Sequence, residues 1–227
     1  MVRELGRRLV TQITDSTSLQ AAAIEYLARD QDTTLIARVP TFIQFFEATV
    51  NRTLFSRQME SRAQAVTDPG VTSEPEFVAL PADFQTMRRI RLSSESGKPS
   101  LQFLSGTQMD EMRTSIADLS GIPRYFSIFG NEIELLPTPA AITTLEMIYR
   151  QNVPSLNANS SNWLLALAPD AYLFGVLLQS APYIKQDGRI QVWAAAVQSA
   201  LNDLNSLGNN SAFNAGPMQV RTTQKAW

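Results

Sequence analysis

Two carboxylates and three guanidiniums are the residues whose type and spacing suggest chemistry. Glu132 and Glu134 stand two apart on a short run that reads as a strand, so both project from one face. Such a pair suits general acid/base work, as in a carboxylate hydrolase. An exposed strand face beside a turn is the simpler account. Arg88, Arg89 and Arg91 form the densest basic cluster. They suit contact with phosphate or with a partner's acidic groups, or else they guard an exposed edge strand against unwanted pairing. Asp30 with Asp32, and Asp110 with Glu111, resemble metal-ligand pairs. A helix stop followed by an N-cap, and a solvated first turn, explain them as well.

Composition removes most other chemistry. The 227 residues contain no His and no Cys. Triads, thiol nucleophiles, disulfides and the commonest metal ligand are therefore excluded. There is no GxGxxG, no GxxxxGK[ST] and no GxSxG. No catalytic, cofactor-binding or metal site is expected. Net charge is −2, so bulk charge does not favour nucleic acid. Arg outnumbers Lys 16 to 3, a bias that suits bidentate pairing at protein interfaces. The N-terminus does not read as a signal peptide, and the longest apolar stretch, 164–178, holds Pro169 and Asp170. A soluble protein made in a cytosol, without membrane contact, is expected.

The elements that must position these residues are helices, then strands, then helices. A first helix is expected over 18–29, with Leu19, Ala23, Ile24 and Leu27 on one face. A second is expected with Pro40 near its first turn; Phe42, Ile43, Phe46, Val50 and Leu54 form its apolar stripe, and Gln44, Glu47, Asn51 and Arg52 its other side. Period two follows: an extended segment at 57–67, then strands at 77–80, 88–92 and 101–104. Ser105 and Gln108 form a capping box before a short helix. The strands 125–129 and 132–136 flank a Gly130-Asn131 hairpin turn. A strand at 142–150 completes an antiparallel sheet with one covered face. Helical period returns at Pro169 with a helix apolar nearly all round, which includes Tyr172, Phe174 and Leu178. A final helix carries Ile190, Trp193, Val197, Leu201 and Leu204 and is expected to end at Gly208. The fold class is α+β. N- and C-terminal helices (1–56 and 157–208) form a bundle around an inserted antiparallel β-rich region (57–156).

The last 19 residues, 209–227, have no core pattern and no acid. Ordering such a segment costs about 20–40 kcal/mol of backbone entropy. Its own sequence cannot offset that, so a partner or neighbouring subunit is expected to hold this extended arm.

Three segments, taken in order, resemble a known family. They are IARVPTFIQFFEATVNRTLFSRQMESRA (36–63) with LPADFQTMRRIRL (80–92), then GIPRYFSIFGNEIELLPTP (121–139) continuing to LEMIYRQNVPSL (145–156), then NWLLALAPDAYLFGVLLQSAPYIKQDGRIQVWAAAVQSAL (162–201). Together they resemble the head-to-tail adaptor (connector or gatekeeper) proteins of tailed bacteriophages. That resemblance implies a structural virion protein of the neck, assembled in the host cytoplasm. It implies a ring of twelve copies beneath the portal protein, a docking surface for the tail or nozzle protein, and a DNA channel through which duplex passes without sequence-specific binding. The helical bundle would build the ring, with Tyr172, Phe174 and Leu178 in its core or subunit interface. The β-rich insertion would face the tail, placing Arg88, Arg89 and Arg91 toward the tail or a neighbour. The arm, through Met218, Gln219, Val220, Arg221, Lys225 and Trp227, would reach the portal. Two rival readings stand beside it: a tail hydrolase using Glu132 and Glu134, and a nucleic-acid-binding module using the arginines.

Overall fold

The structure is a computed structural model that describes residues 12–213, apart from 94, 98 and 185–187, with side chains to residue 207. In chain order the elements are α1 (Ser16–Leu27), α2 (Thr33–Thr53), β1 (Glu60–Thr67), β2 (Phe77–Ala79), β3 (Phe84–Leu92), β4 (Gln102–Phe103), α3 (Gly106–Ser115), β5 (Ser120–Gly121), β6 (Tyr125–Phe129), β7 (Glu132–Leu136), β8 (Thr138–Pro139), β9 (Thr143–Gln151), α4 (Trp163–Leu167), α5 (Pro169–Ile184) and α6 (Ile190–Phe213). The class is α+β, with helices toward both termini and strands between them. The chain divides into two compact units, residues 1–58 with 153–227, and residues 59–152.

The first unit is helical. Asp15 caps α1, accepting from Ser18 N at 2.8 Å, while Ser18 Oγ accepts from Asp15 N at 3.0 Å. Asp32 caps α2 through Leu35 N at 3.0 Å. Capping at Asp32 moves the start of α2 earlier than the Pro40 signal implies. Pro40 therefore lies inside the helix, and its carbonyl accepts from Asn157 Nδ2 at 3.0 Å. α5 touches α1, α2, α4 and α6, so it is the central element. Its buried residues include Ala171, Tyr172, Leu173, Val176 and Leu177. α6 buries Trp193, Val197, Leu201 and Leu204, as the stripe predicts. It runs past Gly208 to Phe213, because one glycine costs only about 1 kcal/mol inside a helix.

The second unit holds two main sheets rather than one antiparallel sheet. The first, β1-β9-β3, is antiparallel, with Glu60 opposite Arg150 and Thr67 opposite Thr143. The second, β2-β7-β6-β4, is mixed, since β4 runs parallel to β6. β5 and β8 form a small parallel pair. The hairpin β6–β7 turns at Gly130, whose φ of 58° suits glycine. One core, including Ile90, Leu92, Phe126, Ile133, Leu135, Leu145 and Met147, serves both main sheets. The Ser105–Gln108 capping box forms, and α3 packs Met109 against Leu104 and Leu136.

Candidate functional site

The arginines lie on β3, an edge strand that is not a simple alternation. Its pairing with β9 slips twice, skipping Gln85 and Arg88. Phe84 pairs with Gln151, Met87 with Tyr149, Ile90 with Met147 and Leu92 with Leu145. Two bulges thus re-phase the strand so that Phe84, Met87, Ile90 and Leu92 all reach the core. Arg89 and Arg91, paired with Ile148 and Glu146, are left on the opposite face.

The three guanidiniums then part company. Arg91 Nη2 donates to Glu146 Oε1, and Arg62 Nη2 donates to Glu146 Oε2 at 2.8 Å. The Glu146 carboxylate is 2% exposed. The hydrogen bond from Arg62, joined by that from Arg91, holds it below the usual carboxylate range against the opposing effect of burial. Arg91 is thus part of a buried ion cluster. Arg88 meets Glu60 at 3.1 Å, both well exposed, which is a weak surface pair. Arg89 is exposed and makes no ion pair or side-chain hydrogen bond among the described residues.

Arg88 and Arg89 border a groove of about 530 Å³ between β3 and β4. Its apolar walls include Met87, Leu101, Phe103, Phe126 and Ile128, and no acid among the described residues lines it. β3 and β4 are each the edge of their sheet. On its outer side β3 meets the 99–101 segment, where Leu101 N donates to Ile90 O at 3.0 Å and Arg91 bridges Ser100. The groove thus combines apolar walls with guanidinium groups at its rim.

The other expected sites are differently placed. Glu132 is exposed, while Glu134 is half-buried and ion-paired with Arg113 of α3. They share a strand face, and Glu134 is occupied by a structural charge pair. Asp32 is an N-cap and Asp30 is exposed; Asp110 and Glu111 are exposed on α3. Among the described residues, no group of three or more acids is placed to hold a metal ion. Tyr172 is fully buried inside its own unit, whereas Phe174 and Leu178 are half-buried. Phe174 meets Tyr26 edge-on, with ring centres 6.4 Å apart. Met218, Gln219, Val220, Arg221, Lys225 and Trp227 lie outside the described residues.

Two polar centres carry no local signal. Glu47, expected on the solvent side of α2, is buried. It accepts from Ser155 Oγ and Leu156 N at 2.8 Å each and from the Tyr172 hydroxyl at 3.2 Å. Asn162 donates to the Tyr172 hydroxyl and to Pro154 O, both at 2.7 Å, and caps α4 through Leu165 N. Glu146 is the second. It lies between Leu145 and Met147, and only its neighbours on β1 and β3 explain its burial.

Among the described residues, no helix is long and apolar enough to cross a membrane. Comparison with curated proteins gives no match. A family model described as SU10 adaptor protein matches residues 14–221, which takes in all of the strands and the described helices. An α+β chain with terminal helices and a β-rich middle thus meets a family match over most of its length: it belongs to the SU10 adaptor protein family of bacteriophage head-to-tail adaptors.

Proposed function

We propose that this adaptor is a structural part of the virion neck, without catalysis, which forms a ring joining the portal to the tail or nozzle and continuing the DNA channel. The observation that carries the reading is the family match across residues 14–221. Physical features agree with it. A heterologous contact that closes on itself makes a ring. The helical unit exposes Phe45 on α2 and Val192 and Leu207 on α6, the last two 65% and 60% exposed. Such residues suit burial against neighbouring copies. Half-buried Phe174 and Leu178 extend that material on α5, and Tyr172 supports them from within. A near-neutral chain suits a conduit, since each neutralised phosphate adds drag on passing DNA.

In this reading the segment beyond α6 is the portal-binding arm, with Met218, Gln219, Val220, Arg221, Lys225 and Trp227 as its contacts. Many weak arm contacts in one ring add up to firm attachment through effective concentration. Residues 218–223 have the composition for strand addition to a partner sheet. The test is deletion of 214–227, which spares every described element, α6 included. The shortened chain is expected to keep its helicity and melting temperature and to lose co-purification with the portal. Co-purification at the normal level would refute the arm assignment.

A further inference from the structure

From the shape and charge of the β-rich unit we infer that the groove between β3 and β4 receives the 68–76 loop of a second copy of this chain. The inference rests on the ring reading and names one of the contacts that would close it.

The loop and the groove are complementary. Residues 68–76 carry Asp68, Glu74 and Glu76 and no base. The groove is lined by Arg89, which makes no ion pair among the described residues, and by Arg88, held only by a weak surface pair with Glu60, and by no described acid. Opposite charge at facing rims sets register and suppresses wrong partners. The loop also presents an apolar tip, since Val71 is 85% exposed. The groove supplies an apolar bed for it in Met87, Phe103 and Ile128.

The loop is already shaped. Asp68 O accepts from Val71 N and Thr72 N at 3.0 Å, and Asp68 Oδ1 accepts from Gly70 N at 2.8 Å. At the far end Thr67 Oγ1 donates to Pro75 O at 2.7 Å. A preformed loop loses little freedom on docking.

Topology excludes the loop's own copy as its host, and the matching charges favour another copy. The loop leads into β2, and β2 and β4 are opposite edges of the sheet β2-β7-β6-β4. A copy cannot place its own loop in its own groove across that sheet. It can place it in the next copy's groove, a head-to-tail contact that repeats around a ring.

Absence of cysteine makes the contact easy to trap. Phage particles assembled with Val71→Cys combined with either Phe103→Cys or Met87→Cys would be oxidised and run without reductant. A ladder of adaptor multimers beyond the dimer is expected from at least one pair, and none from the single variants. Adding Arg88→Glu with Arg89→Glu should cut the ladder at least tenfold. Adding Glu74→Arg with Glu76→Arg to those should restore it. Particles that contain the adaptor but give no ladder from either pair overturn the inference and leave the ring reading standing. Capture of a different virion protein by Phe103→Cys alone overturns it too. Absence of the unaltered chain from the particle neck overturns both.

Discussion

The Phe46 ring fills the space in which Gly175 would carry a side chain: a β-carbon built there falls 2.2 Å from Phe46 Cδ2. Glycine at this position lets α5 and α2 approach, and it seats Phe46 against Tyr172 with ring centres 5.3 Å apart. Gly175→Ala should therefore destabilise the helical unit by about 1–3 kcal/mol through overpacking, despite alanine's better helix propensity. Urea unfolding followed by circular dichroism measures it. Phe46→Leu in the same chain should recover part of the loss, since the two residues share one space.

The Tyr172 hydroxyl joins Asn162 to the buried Glu47 carboxylate. Tyr172→Phe should cost about 1.5–3 kcal/mol, the range for losing a hydrogen bond to a charged group. Burial, the largest cause, pushes this phenol well above its ordinary 10.0. Its folded state thus holds the proton more tightly than the unfolded chain does. The contribution is complete below about pH 10 and is lost as pH rises further. Alkaline melting curves should show that loss in the unaltered protein and less of it in Tyr172→Phe.

Glu146 has the opposite sign. Its folded carboxyl titrates below 4.5 because Arg62 and Arg91 donate to its ionised form. Its stabilising contribution is present above pH 4.5 and disappears as pH falls through the lower folded value. Glu146→Gln should weaken the strand unit at neutral pH and flatten the fall in its stability as pH drops below 4.5. Hydrogen exchange at the amides of β1 and β9 reads this directly. An unchanged acid profile in Glu146→Gln would count against the ion cluster.

Removing the Ser105 side chain strips the cap from α3. Ser105→Ala should lower stability by about 0.5–2 kcal/mol, and Gln108→Ala should act in the same direction, because the two side chains cap reciprocally. The readout is faster amide exchange in residues 106–109, with the sheet amides unaffected.

Much of the fold is legible wherever a signal and its partner lie within a few residues. The 125–136 hairpin with its Gly130-Asn131 turn, the Ser105–Gln108 box and the stripe of Trp193, Val197, Leu201 and Leu204 all follow from local geometry. The same holds for Asp32, whose N-cap role follows from its place before an apolar-periodic run. Pro40 and Gly208 mislead for the same local reason: each is a common helix terminus, yet tertiary packing or modest cost lets a helix run through it.

Composition by itself excludes thiol and histidine chemistry, and local pattern sets out the order of helices and strands. The tertiary structure alone decides which charges are buried and which remain free for a partner. Glu47 meets Tyr172 across 125 residues of chain, and Arg62 meets Glu146 across 84. A cluster of three neighbouring arginines becomes one buried ion-pair member, one surface pair and one exposed charge, because two bulges in β3 turn them relative to the core. Burial of a charge depends on what distant segments bring to it, and a linear pattern carries only the near neighbours.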